Sequence, residues 1–181
     1  MPWFNDLVSA VTGSKKDCSE IKAKIQSAKK GTMIPDTDIE EYIEDINSRV
    51  KSMVKELKTI YKKYDIQFMG FKALETACFS LGESLKTRKE ESYNNLLKLE
   101  SSITAEQKRH LSLIRMAVTK DGKKVLDRIM QDPTSKNQYI KVFGSRAITG
   151  TDGVDGTYQG IWSEINKVAE YVITHKNKVY H

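Results

Sequence analysis

The sequence predicts an all-α protein, an antiparallel helical bundle with long heptad-patterned helices, and three observations carry that prediction. The first is an apolar ladder at Ile39, Ile43, Ile46, Val50, Met53, Leu57, Ile60 and Tyr64, spaced 4-3-4-3-4-3-4 without interruption. That repeat specifies one long helix with an apolar seam. The second is the same spacing carried on through Phe71, Leu74, Cys78, Leu81 and Leu85. The third is a pair of further one-sided stripes, Leu111, Ile114, Val118, Val125 and Ile129, then Ile161, Ile165, Val168 and Val172, each suited to packing on neighbouring helices.

Length and composition agree with that class. A chain of 181 residues, 39% hydrophobic and 30% charged with three prolines, fits one helical domain over 1–181, too apolar for disorder and too polar to span a membrane. No apolar run approaches the ~18 residues of a spanning helix. Asp6 stands where an export signal carries basic residues, and Pro2 replaces the glycine that myristoylation requires, so a cytoplasmic protein, free or peripheral to a membrane, is expected. Cys18 and Cys78 lie 60 positions apart and are expected as reduced packing residues rather than a disulfide framework.

The elements follow in order. Trp3, Phe4, Leu7, Val8 and Val11 form one face of a short amphipathic helix over 1–13 that ends at Gly13. The bundle is expected over 15–132, opening with a Lys-rich helix over 15–30 that carries Ile21 and Ile25. The ladder helix is predicted over about 36–64, with Asp36 or Thr37 as its cap and Thr37 with Glu40 in the form of a capping box. Tyr42, Val54 and Tyr61 widen its seam beyond that of a two-stranded zipper. Further long helices are predicted over 67–100, with a possible break in the polar run Lys86 to Glu91, and over 104–131, opened by Thr104 and Gln107 as a second capping box. Asp121-Gly122 is an alternative turn there. Residues 133–160 are expected to be irregular: Tyr139 to Phe143 has strand character, and five glycines follow between 144 and 160. The last amphipathic helix is expected over 161–176.

Patterns that announce chemistry are few. His110, His175 and His181 form no His-x-x-x-His pair, and Glu106 with His110 at i, i+4 supplies only two ligands, so neither a metal site nor a cofactor is expected. No serine or cysteine lies in a nucleophile elbow or beside a histidine. The segment Gly144 to Gly156 lacks the Gly-Lys-Ser/Thr of a phosphate loop and the alternating acids of a calcium loop. If it held an anion, Arg146 and backbone amides would be the donors.

Charge is distributed unevenly. The net charge is +6, and 24 of the 30 basic residues are lysine, a hydrated point charge rather than the planar fork that reads bases. Lys108, Arg109, Arg115, Lys120, Lys123, Lys124 and Arg128 form a basic group without aromatics, compatible with nonspecific polyanion contact but not with sequence-specific nucleic-acid recognition. The leading expectation is a non-enzymatic interaction or scaffold protein that uses the ladder seam and the Trp3 to Val11 face to engage a protein partner, a second copy or an anionic membrane. The alternatives are a membrane-acting, pore-forming or lytic helical protein and a nonspecific polyanion-binding module.

Overall fold

The computed structural model describes residues 18–28, 33–148 and 155–176. The helix expected over 1–13, with its Trp3 to Val11 face, lies outside them. Among the described residues the fold is all-α: α1 Ser19–Gln26, α2 Asp36–Lys63, α3 Lys72–Thr87, α4 Glu90–Leu97, α5 Glu100–Met116, α6 Val125–Gln131, α7 Pro133–Phe143 and α8 Thr157–Tyr171. A 3₁₀ turn, Ser145–Ala147, follows α7, and a π turn, Val172–Lys176, continues α8.

The ladder is used inside the chain. Ile39, Ile46, Val50, Met53, Leu57 and Ile60 are buried, Ile43 and Tyr64 partly so, and Tyr42 and Tyr61 widen the same face. α2 packs on α1, α3, α7 and α8, and α8 also contacts α1, α3, α4 and α7. One apolar cluster runs from Ile21 and Ile25 of α1 to Val172.

Four local expectations are corrected. The ladder helix is not capped by Asp36 or Thr37. It starts one residue earlier, after Pro35, whose carbonyl accepts from the Asp38 and Ile39 amides at 3.0 and 3.2 Å; no cap side chain bonds to the helix. Asp36 instead pairs with Arg88 and, at 3.1 Å, with Lys176. The 67–100 helix begins only at Lys72 and is divided at Arg88, which adopts a left-handed φ of 53°. The 104–131 helix begins earlier, at Glu100, so Thr104 lies inside it rather than at a cap, and it stops at Met116 before a turn centred on Asp121-Gly122.

The fourth correction concerns 133–160. Tyr139 to Phe143 is helical, because Tyr139, Val142 and Phe143 face the core at i, i+3 and i+4, the helical and not the alternating period. Asp132 caps this helix by accepting from Thr134 N at 3.3 Å and Ser135 Oγ at 2.9 Å, with Pro133 in the first turn. The last helix likewise starts at Thr157 rather than Ile161. Of the glycine-rich segment, 149–154 lies outside the described residues. Gly144, at φ 88°, and Gly156 mark a crossing of two chain segments so close that a Cβ on Gly144 would sit 1.9 Å from the Asp155 carbonyl oxygen.

A single truncation in the ladder should therefore be felt by the whole bundle. Leu57→Ala removes a side chain with no exposed surface and should lower unfolding free energy by about 2–5 kcal/mol, read as a shifted urea midpoint with unchanged slope. A loss below about 0.5 kcal/mol would contradict the central placement of the ladder.

Candidate functional site

The basic group foreseen in the sequence is carried by the second half of α5, by the turn at the C-terminal end of that helix and by Arg128 of α6. α5 ends at Met116, and residues 117–124 reverse direction in a tight turn. Thr119 N donates to Lys123 O at 2.7 Å, Gly122 N to Thr119 O at 2.9 Å, and Val125 N to Ala117 O at 3.0 Å. Gly122 takes φ 77°, a conformation that glycine adopts without strain, and the Thr119 hydroxyl accepts from Lys123 N at 3.2 Å. These bonds hold the turn in one shape, with an isolated bridge between Val118 and Lys124.

Lys120, Lys123 and Lys124 on this turn are exposed, as are Lys108 and Arg109 on α5. None of the five makes an ion pair among the described residues. Arg128 is drawn to Asp121 at 3.6 Å. Arg115 departs from the group: it points inward, its Nε and Nη2 are buried without a hydrogen-bond partner, and its charge acts on Tyr139. Burial drives the Tyr139 hydroxyl up to about 12 and Arg115 partly offsets that rise.

Two apolar side chains stand exposed beside the lysines. Met116 is 80% and Val118 62% exposed. The sequence pattern assigned Val118 to the buried stripe of a continuous helix. The helix ends two residues earlier, so that assignment fails and the side chain is turned to solvent.

α5 also carries a buried polar cluster that the i, i+4 pair Glu106 and His110 did bring together, for a purpose the sequence left unread. Glu106 reaches across to the start of α3, where its Oε2 accepts from Ala73 N at 2.8 Å and its Oε1 from Leu74 N at 3.4 Å. It thereby caps a helix that has no local cap. Tyr158 Oη donates to the same carboxylate at 2.7 Å; burial and then the Glu106 charge raise its pKa far above the usual phenol range. The His110 Nε2–H donates to the Gly70 carbonyl at 2.9 Å, leaving Nδ1 to accept from Tyr61 Oη at 2.7 Å. Both ring nitrogens are thus committed, and Phe71 and Phe143 flank the ring. A cavity of about 160 Å³ opens outside it between Met69, Lys72, Arg109 and Leu113.

A second buried carboxylate, Glu164 of α8, accepts from Arg49 at 2.7 and 2.9 Å and from Tyr42 Oη at 2.6 Å. Burial works against its charge, but the Arg49 and Tyr42 bonds prevail and hold its pKa below the usual value. Among the described residues no group of three or more His, Cys, Asp or Glu side chains is placed to hold a metal ion, and no helix is long and apolar enough to cross a membrane. Comparison with protein-family models, with characterised proteins and with solved structures finds no significant match.

The His110 network makes the fold sensitive to mild acid. Burial lowers the His110 pKa below its ordinary value of 6.5, the value it regains on unfolding. The unfolded chain therefore binds the extra proton first, and stability is full above about pH 6.5 and falls as pH drops towards the folded-state value, by at most about 1.4 kcal/mol per pH unit. Denaturation of wild type and His110→Gln across pH 5 to 8 should show this slope only in the wild type. Parallel curves would remove His110 as its source.

Proposed function

We propose that this chain is a non-enzymatic docking protein that attaches peripherally to an anionic membrane surface through its basic turn. One observation carries the proposal: Met116 and Val118 stand exposed beside Lys120, Lys123 and Lys124, lysines that have no counter-charge among the described residues. A nucleic acid or another polyanion would satisfy the lysines but offer no apolar phase to the thioether and isopropyl groups. The headgroup region of a bilayer satisfies both, the anionic lipids meeting the lysines and the acyl boundary receiving the apolar pair. A scaffold role through the ladder seam has less to draw on, since those side chains are already packed inside the chain. The Trp3, Phe4, Leu7, Val8 and Val11 face is a second contact in the same proposal, with an independent test in Leu7→Glu.

Flotation of the full chain with phosphatidylserine-containing vesicles at low salt tests it. Wild type should float with these vesicles and stay behind with purely zwitterionic ones. Replacing Lys120, Lys123 and Lys124 by Glu should weaken binding by about two orders of magnitude, at about 1 kcal/mol for each lysine, and the neutral pair Met116→Gln with Val118→Thr should weaken it without changing its dependence on lipid charge. Wild type that fails to float sinks the proposal. Retention on heparin or RNA unaffected by the Gln and Thr pair would move the surface to polyanion binding, and release of trapped dye would favour the pore-forming alternative.

A further inference from the structure

The outward face of α2 carries both signs of charge in separate blocks. Glu40, Glu44, Lys51, Lys55, Lys58 and Lys62 fall within an arc of about 60° at 100° per residue, and all six are exposed. None makes an ion pair among the described residues, whereas Asp36, Asp45, Glu56 and Lys63 of the same helix all do.

The helix dipole does not account for this face. It favours acids at the start and bases at the end, but its influence fades within the terminal turns, and Glu44, Lys51 and Lys55 lie well inside α2. The face also sets like charges against each other at i, i+4, in Glu40 with Glu44, Lys51 with Lys55 and Lys58 with Lys62. Each such pair is unfavourable within an isolated helix.

We propose that this face binds the same face of a second copy of the chain, antiparallel, about a two-fold axis at Lys51. Glu40 and Lys62 each lie eleven residues from Lys51, and Glu44 and Lys58 each lie seven. Reversal of the helix direction therefore sets Glu40 opposite Lys62 and Glu44 opposite Lys58, and two-fold symmetry makes each pair twice. Other occupants fit less well: an anionic surface meets Glu40 and Glu44 on the same face as the lysines, and a wholly acidic helix leaves those two glutamates opposed by like charge. The register places Lys51 against its own copy and Lys55 opposite Asn47, so the unfavourable contacts are confined to the axis. Residues 40 to 62 span about 33 Å at 1.5 Å per residue. One helix against one helix falls short of the about 800 Å² per partner of a standard interface, so the dimer is weak, reversible and salt-sensitive.

Sedimentation velocity over a range of protein concentrations, at low and high sodium chloride, tests the inference. Wild type should dimerise at low salt and dissociate as salt rises. Glu44→Lys and Lys58→Glu should each weaken the dimer about tenfold, because each turns two attractive contacts repulsive, and the double variant should return to within about threefold of wild type. Lys51→Leu should strengthen it. Circular dichroism confirms that each variant keeps its helical content. A wild type that stays monomeric at every concentration and salt overturns the inference, and so does a dimer that the single reversals leave intact or the double variant fails to restore. Vesicle binding by Lys120, Lys123 and Lys124 is read separately and does not depend on this result.

Discussion

The rest of the structure depends on burial of the α2 ladder, because α1, α3, α7 and α8 all pack on that helix. Hydrophobic burial is strong but not directional, so the seam by itself would allow a neighbouring helix to slide by a turn. Directional contacts prevent this. Glu164 of α8 is held by Arg49 and Tyr42 of α2, and a displacement of one turn would strip a buried carboxylate of these three bonds and leave it only the 3.6 Å pair with Lys22 of α1, a larger cost than the displaced methyl contacts.

Glu106 acts in the same way at the other end of the core. It sits in the middle of α5, yet its donors belong to the first turn of α3 and to Tyr158 of α8. One side chain therefore joins three helices and satisfies amides to which the cap residue Phe71 offers no side-chain acceptor. Through the adjoining pair His110 and Tyr61 the cluster is tied back to α2. The basic turn begins at the C-terminal end of the same α5, so the geometry of the exposed lysines rests on this buried support.

These relations explain what could be read from the chain beforehand. The extent of α2 was legible to within a residue because a seven-residue repeat over eight apolar positions has only one regular solution. The break at Arg88 was less so: a polar run suits an exposed helix as well as a turn, and what decides is the contact of Arg88 with Asp36, 52 positions away. Tyr139 to Phe143 was misread as strand because five apolar-rich residues carry too little period to tell 2 from 3.6, and the capping role of Asp132 is clear only once Pro133 is seen as a start rather than a stop. At the candidate site the lysines were legible as charges. Their apolar companions were not, since Val118 fits the stripe of a helix that ends before it. The role of Glu106 left no local signal, its partners being 32 to 52 residues distant.

The two lysine-rich surfaces differ in a way that bears on what each can meet. On the turn, positive charge is accompanied by exposed apolar groups, while the acid within reach, Asp121, is drawn to Arg128. A surface of one sign with an apolar tip is complementary to an extended phase of opposite sign and cannot be complementary to itself. On α2 the lysines share their face with unpaired acids and almost no exposed apolar area, since Val54 is partly buried. Charge of both signs in separate blocks is the pattern that is self-complementary under reversal. Lys63 pairs with Asp132 and Tyr64 Oη approaches the Arg128 carbonyl at 3.4 Å, which links the end of α2 to α6 and to the cap of α7. Added salt screens contacts at both surfaces, but only the turn retains an apolar contribution when its charges are screened. Association through α2 should therefore vanish at an ionic strength where attachment through the turn still persists.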